Sequence, residues 1–333
     1  RMTTALPPIP VTLLSGFLGA GKTSLLNRLL SAPHGLRIAV IENEFGPVNI
    51  DSALLLRDTA EVIEMTNGCL CCTIRGDLAG HLQALQRRRA TGELAFDRLV
   101  IETTGLADPT PIVQTFFGEP TLLEAYRLDG IITLVDALHA GQQLDRHAVV
   151  RKQIGFADRL LISKADLVSN EALSLLRERL TAMNPLAVQQ VLQPGELPFA
   201  QLFELRGFHL DAATATPALA AAPGRLRPLG RSFADDIAAL HWQHPGWVDR
   251  QRVGAVVQAL LAEHGDDLLR YKGVLAVRDD PRRLIFQGVH RIAGFDYGPA
   301  WGADEAARCD LVLIGRQLPT ARLQAELSAC AVG

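Results

Sequence analysis

The chain has 333 residues, of which 48% are hydrophobic and 21% charged, so it can bury a large core and global disorder is excluded. A formal net charge of −3 provides no long-range attraction to nucleic acid or to an anionic membrane. No apolar run approaches the roughly 18–20 residues that span a bilayer, and the N-terminus lacks the charged and apolar regions of a signal peptide. We therefore expect a cytoplasmic protein with no nucleic-acid or membrane partner.

Short apolar runs alternate with helical patterns as far as about residue 205. The apolar runs are residues 11–15, 38–41, 99–101, 130–135 and 160–162, and later helical patterns cover 78–89, 111–117, 148–157 and 172–183. After the first run, Leu25, Leu26, Leu29 and Leu30 recur at three- and four-residue spacing, which predicts a helix. Runs that are apolar on both faces and are joined by long connections predict a mainly parallel sheet covered by helices.

A change in composition divides the chain. Residues 211–230 are rich in Ala, Pro and Gly, which favours a linker, although a surface loop within one domain is the alternative. The patterns beyond it follow the order β-α-β-β-β-α. They predict strands at 237–242, 269–277, 284–289 and 311–314, and helices at 247–264 and 320–329. We predict an α/β domain at 9–206, a linker at 207–230 and a smaller α+β C-terminal domain at 231–330.

The segment between the first strand and the first helix fits the pattern G-x-x-x-x-G-K-S/T. Its glycines let backbone N–H groups turn toward phosphate oxygens, and the following helix adds its positive N-terminus. Lys22 would reach the β- and γ-phosphates as a catalytic cation, and the Thr23 hydroxyl would bind Mg²⁺. A glycine-rich turn without a ligand is the alternative. The predicted nucleotide-binding residues here are Gly16, Gly19, Ala20, Gly21, Lys22, Thr23 and Ser24. The α/β domain is therefore predicted to be a P-loop NTPase domain.

A carboxylate follows the strand predicted at 99–101. Glu102 stands at its carboxyl end, the edge of a parallel sheet that faces the ligand crevice. There it could hold Mg²⁺ through water or orient the attacking water, which makes it the second catalytic candidate. Gly105 would let a backbone N–H approach the γ-phosphate. The simpler alternative is that Glu102 only caps the next helix.

The strand predicted at 160–162 leads into Ser163, Lys164 and Asp166. Many GTPases have Asn-Lys-x-Asp at this place, where the Asp accepts hydrogen bonds from guanine N1 and N2 and the Lys stem covers the base. Adenine presents no such pair of donors, so this pattern favours GTP and GDP over ATP. Ser163 replaces the usual Asn, and its shorter side chain puts the link to the neighbouring loop in question. An exposed Lys/Asp turn is the alternative.

Three of the five cysteines lie together at Cys69, Cys71 and Cys72, which does not suit a secreted disulfide framework. Three thiolates suit Zn²⁺ or another soft or borderline ion such as Co²⁺. A local turn after Cys71 would bring the three sulfurs together. Glu42, which ends the run at 38–41, is the best candidate for a fourth ligand. Inert buried cysteines and thiol redox chemistry are the two alternatives.

Taken together, these motifs resemble the CobW-related GTPases, relatives of HypB and UreG among the P-loop metallochaperones, and in particular their YjiA-like branch. The resemblance covers nearly the whole chain. Its segments are the P-loop, ENEFG (42–46), NGCLCC (67–72), ETTGLADP (102–109), SKAD (163–166), RYKG (270–273), FQGVH (286–290) and VLIGRQLP (312–319). It implies a slow, Mg²⁺-dependent GTPase whose Cys-x-Cys-Cys segment binds Zn²⁺ or a similar ion and delivers it to a client metalloprotein.

The sequence departs from the family pattern at two places. Pro47 stands where relatives often have a second acidic residue, and the region near the domain junction has only His209 where many carry a histidine-rich stretch. No arginine is evident as an internal finger, so we expect slow turnover that a partner or formation of a homodimer would stimulate. A nucleotide-dependent metal sensor without hydrolysis-driven transfer is the alternative function, and an ATP-dependent small-molecule kinase is a weaker one.

Overall fold

The computed structural model describes residues 7–43, 61–64, 70–74, 78–195, 199–208 and 235–332. Its first group of strands consists of β1 (Ile9–Gly16), β2 (Ile38–Asn43), β3 (Glu61–Glu64), β4 (Leu70–Ile74), β5 (Arg98–Thr103), β6 (Tyr126–Asp136), β7 (Arg159–Ser163) and β8 (Val188–Val191). Within the described residues these form an eight-stranded sheet in the order β3-β4-β2-β5-β1-β6-β7-β8. The strands from β4 to β7 in that order pair in parallel, and β3 is antiparallel to β4. The predicted mainly parallel sheet is confirmed.

Helices connect these strands. They are α1 (Lys22–Ser31), α2 (Leu78–Ala90), α3 (Thr110–Gly118), α4 (Pro120–Ala125), α5 (Ala140–Arg146), α6 (Ala148–Phe156), α7 (Asn170–Met183) and α8 (Phe199–Leu202). The apolar face predicted for α1 is buried: Leu25, Leu26, Leu29 and Leu30 pack against side chains of β1, β2, β5 and β6. This packing fixes the start of α1 at the carboxyl edge of the sheet.

The C-terminal residues form a second, antiparallel sheet. The elements of this part of the chain are β9 (Ile237–Pro245), β10 (Trp247–Val248), α9 (Arg250–His264), β11 (Leu268–Ala276), β12 (Arg282–Val289), β13 (Ile292–Ala300), β14 (Arg308–Arg316), α10 (Thr320–Ser328) and β15 (Ala331–Val332). Five described strands pair in the order β13-β12-β11-β14-β9, and β10 pairs with β15. Side chains of α9 and α10 pack on the core of this sheet, around Trp242, Leu275 and Leu313. The predicted α+β class is confirmed.

Two details of the C-terminal prediction were wrong. The sequence patterns omitted β13, because Gly294, Gly298 and Pro299 weaken a strand signal that tertiary pairing with β12 restores. The helix predicted from residue 247 begins at Arg250, since Trp247 and Val248 pair with the end of the chain and Asp249 caps the helix.

The chain folds into two compact units. One comprises the described residues from 7 to 143 with Ala157–Leu173 and Gln189–Gly207, and the other comprises Leu144–Phe156, Ser174–Val188 and the described residues from Phe208 onward. Most of the predicted linker at 207–230 lies outside the described residues. No helix in the described part of the chain is long and apolar enough to cross a membrane.

Candidate nucleotide-binding site

The glycine-rich loop joins β1 to α1 at the carboxyl edge of the parallel sheet. Gly16 has a φ of 137°, and a Cβ atom there would lie 2.6 Å from the carbonyl oxygen of Leu134. Gly21, which immediately precedes α1, has a φ of 102°. Both positions need the conformational freedom of glycine. The loop thus turns tightly into the N-terminus of α1, the end of a helix that favours an anion.

Lys22 and Thr23 are the first two residues of α1. The Lys22 side chain is 8% exposed, and its ammonium donates hydrogen bonds to the carbonyl oxygens of Gly16 at 2.7 Å and Phe17 at 3.2 Å. Burial lowers the pKa of Lys22, and the negative charge of Glu102 opposes that shift. A cation held in this way, at the N-terminus of a helix, suits an anionic ligand.

Glu102 lies next to Thr23 at the end of β5. The Thr23 hydroxyl donates to Glu102 Oε1 at 3.4 Å, and Glu102 is aligned with Glu42 across the pairing of β5 with β2. Burial raises the pKa of Glu102, while Lys22 lowers it, Glu42 raises it further and Thr23 lowers it. The carboxylate is therefore charged at a free-energy cost, and a bound cation would reduce that cost.

These side chains surround one cavity of about 530 Å³. Of the predicted site residues, it is lined by Gly19, Gly21, Lys22, Thr23, Ser24, Glu42, Glu102 and Gly105. A Cβ atom at Gly105 would lie 2.5 Å from the backbone nitrogen of Leu18, so the loop after β5 approaches the P-loop as closely as glycine permits. The cavity has the cation and oxygen ligands that a nucleotide's phosphates and their Mg²⁺ require.

A second cavity of about 290 Å³ adjoins the P-loop and is lined by Ala20, Ser163, Lys164 and Asp166 among others. The Ser163 hydroxyl is 2.8 Å from the carbonyl oxygen of Ala20 and 3.3 Å from that of Val135. The shorter side chain therefore still hydrogen-bonds the P-loop. The Lys164 ammonium donates to the carbonyl oxygen of Gly19 at 2.9 Å, so two residues of this segment hold the loop.

The sequence patterns missed several residues of this region. Arg28 and residues 192–195 line the second cavity, and Asp136 pairs with Lys164 at 2.6 Å. Asp136 ends a buried strand as Glu102 does, so the same signal could have identified it. The loop after β8 has no comparable pattern in its sequence. It lines the second cavity because β8 lies beside β7 in the sheet, and local sequence does not show which strand borders β7.

The cysteine segment is described only in part. Cys69 lies outside the described residues, whereas Cys71 and Cys72 lie in β4, whose backbone pairs with β2 in the register of Cys71 with Val40 and Cys72 with Ile41. The turn that we considered after Cys71 is absent, since β4 continues to Ile74. In the part of the chain that is described, no three His, Cys, Asp or Glu residues are grouped as metal ligands. The predicted ligand set therefore stays a prediction.

The fold and the first cavity are those of a P-loop nucleotide-binding protein. The family model described as CobW/HypB/UreG, nucleotide-binding domain, matches residues 10–190, and that of the cobalamin synthesis protein cobW C-terminal domain matches residues 237–331. The chain therefore belongs to the CobW/HypB/UreG family, and the resemblance seen in its motifs is confirmed.

Two curated relatives are similar over nearly their whole length. The zinc chaperone YjiA of Escherichia coli (strain K12) is 42% identical over 321 residues, covering 96% of this chain and 97% of the relative. The zinc chaperone CobW of Pseudomonas aeruginosa is 34% identical, covering 97% and 91%. The crystal structure of zinc-bound YjiA GTPase from E. coli matches with a TM-score of 0.85 at 40% identity, covering 98% of this chain and 100% of that chain. A zinc-bound YjiA variant, in which a glutamate and two adjacent cysteines are replaced by alanine, also matches with a TM-score of 0.85.

Replacing Glu102 should stabilise the nucleotide-free protein. An acid with a raised pKa in the folded state stabilises the fold fully below its unfolded pKa, and this contribution is lost as the pH rises through the folded pKa. Glutamine does not titrate. Glu102→Gln should therefore raise the free energy of unfolding near neutral pH, and its advantage over the wild type should shrink as the pH falls.

Urea unfolding from about pH 4 to about pH 7.5, which spans the ordinary glutamate pKa and neutrality, measures this difference. The control is Glu124→Gln at an exposed position of α4, which should follow the wild type at each pH. A Glu102→Gln curve parallel to that of the wild type would contradict the assignment of an unfavourable buried charge.

Proposed function

We propose that this chain is a Mg²⁺-dependent GTPase that binds zinc and transfers it to a client metalloprotein. The observation that carries the proposal is the position of Glu42. It lines the phosphate cavity with Lys22 and Glu102, and its strand pairs on the other side with β4, which carries Cys71 and Cys72. One side chain thus belongs to the nucleotide site and lies on the strand next to the cysteines.

Lys22 would contact the β- and γ-phosphates, and the Thr23 hydroxyl would hold Mg²⁺ directly, with Glu102 holding it through water. The neighbouring Thr23, Glu102 and Glu42 offer only oxygen ligands, the set that suits Mg²⁺. When bound, Mg²⁺ neutralises charge on the β- and γ-phosphates. Glu102 would also orient the attacking water, and Gly105 would allow a backbone N–H to approach the γ-phosphate.

The second cavity supports guanine as the base. Asp166 would accept hydrogen bonds from guanine N1 and N2, and the Lys164 stem would cover the ring. Ser163 and Lys164 each bond a P-loop carbonyl oxygen, so the base reader is held in place relative to the phosphate site. Asp166 is exposed in this structure, so rejection of ATP would follow only once the bound base covers the carboxylate and leaves its acceptors without donors.

Zinc is the proposed cargo, with Cys69, Cys71, Cys72 and Glu42 as its ligands. Both full-length relatives are described as zinc chaperones. The zinc-bound YjiA variant replaces a glutamate followed by two adjacent cysteines at the spacing that separates Glu42 from Cys71 and Cys72. Because that variant is still described as zinc-bound, zinc binding at a further site is to be expected, and experiments must count tight and weak equivalents separately.

Hydrolysis tests the enzymatic part of the proposal. The wild type should release phosphate from GTP slowly and from ATP far more slowly, and Glu102→Gln should lower kcat at least 100-fold, as loss of a water-orienting group does. Glu124→Gln serves as the control and should match the wild type. Phosphate release is measured under saturating nucleotide and Mg²⁺. GTP binding without hydrolysis would favour the sensor alternative, and equal turnover of ATP would contradict the guanine assignment.

Zinc stoichiometry tests the cargo site. Titration of the reduced protein against a competing chelator should show one tight equivalent that Cys71→Ser and Cys72→Ser each abolish, with weaker binding retained. Cys309→Ser is the matched control, because Cys309 is a buried cysteine of the C-terminal sheet with a pKa raised by burial to about 11. An unchanged number and affinity of tight equivalents in the Cys71 and Cys72 variants would exclude this ligand set.

A further inference from the structure

Asp136 ends β6 and collects four hydrogen-bond donors. The backbone N–H groups of Leu138 and His139 donate to its Oδ1 at 3.0 and 3.3 Å. Its Oδ2 lies 2.6 Å from the Lys164 ammonium and 2.9 Å from Nδ1 of His139. None of these contacts was evident from the sequence.

The carboxylate is nearly inaccessible, with 2% of Asp136 exposed. A buried carboxylate is tolerated only when it is paired and hydrogen-bonded. Although burial opposes ionisation, the hydrogen bonds from Lys164 and His139 hold the pKa of Asp136 below its ordinary value. Asp136 is thus a fixed negative charge at the carboxyl edge of the sheet, beside the base cavity.

Lys164 divides its ammonium between two acceptors. One is Asp136 Oδ2 and the other is the carbonyl oxygen of Gly19 in the P-loop, at 2.9 Å. Lys164 also has a φ of 56°, a left-handed conformation that non-glycine residues seldom adopt without support. The Lys164 side chain is 37% exposed, so water competes with the protein for hydrogen bonds from its ammonium. The two protein acceptors fix the direction of the side chain.

Asp136 itself does not line either cavity described above. We propose that Asp136 is a positioning residue for guanine-nucleotide binding. It holds the Lys164 ammonium in place, so that the lysine stem covers the base while the ammonium keeps its hydrogen bond to the carbonyl oxygen of Gly19. The chain Asp136–Lys164–Gly19 thereby joins the base cavity to the phosphate loop. This inference rests on the proposed GTPase function and adds a residue that no motif identified.

The test compares two carboxylates of the same strand. Asp129 is also 2% exposed and accepts two backbone N–H groups, from Leu205 and Arg206, but lies toward the other end of β6 with Arg98 as its cation. Asp136→Asn and Asp129→Asn should both lower thermal stability. Asp136→Asn alone should weaken GDP binding, about tenfold, the order expected for loss of one charge-assisted hydrogen bond.

A second comparison separates positioning from a general loss of structure. Lys164→Ala should weaken GDP binding, and the double variant Asp136→Asn/Lys164→Ala should bind GDP no more weakly than Lys164→Ala. Asp136→Ser, which keeps an acceptor hydroxyl, replaces Asp136→Asn if that variant does not fold. Isothermal titration with GDP and with ADP, alongside circular dichroism, provides the measurements.

Wild-type GDP affinity in the Asp136 variants, an equal loss in Asp129→Asn, or additive losses in the double variant would each overturn the inference. Its failure is distinguishable from failure of the guanine assignment. If the wild type prefers ADP, the guanine assignment is wrong, and the same variants then test positioning with ADP.

Discussion

In the parallel sheet, β5 pairs with β1 on one side and with β2 on the other, so Glu102 lies opposite Leu14 in one register and opposite Glu42 in the other. This register places the carboxylates of Glu42 and Glu102 beside the P-loop and the buried ammonium of Lys22. Burial raises the pKa of Glu102, while the charge of Lys22 lowers it and that of Glu42 raises it again. A site of this kind favours a divalent cation accompanied by phosphate oxygens, and the remaining features of the pocket follow from the same edge of the sheet.

The strand order also explains how the nucleotide site and the proposed zinc site could influence each other. Counting inward from β3 at the edge, β4 carries Cys71 and Cys72, β2 carries Glu42, β5 carries Glu102, and β1 leads into the P-loop. Each strand is hydrogen-bonded to the next, so a shift at the γ-phosphate has a short path to the proposed zinc ligands. On the other side of β1, β6 and β7 carry Asp136 and Ser163 beside the cavity proposed for the base. The P-loop thus lies between the strands of the proposed zinc ligands and the strands beside the proposed base cavity.

Much of this arrangement could be predicted from the sequence. The P-loop pattern, the apolar runs and the position of Glu102 each depend on local spacing, and parallel topology then places strand ends together. The role of Asp136 could not be predicted, because it depends on the contact of β6 with the segment after β7, which local patterns do not encode. The bond of Ser163 to Ala20 depends on how closely that segment approaches the loop, and the pairing register of β4 with β2 is likewise a tertiary result.

If GTP hydrolysis drives the proposed transfer of zinc, zinc affinity must depend on the nucleotide state, and one measurement tests this requirement directly. The zinc dissociation constant of the reduced protein is determined by chelator competition with GDP and Mg²⁺, and again with a non-hydrolysable GTP analogue and Mg²⁺. The account predicts a difference of about tenfold, which requires only about 1.4 kcal/mol. By linkage, zinc must change the ratio of GTP-analogue to GDP affinity by the same factor. Equal zinc affinity in both nucleotide states would contradict the account and leave a GTPase whose cysteines serve some other chemistry.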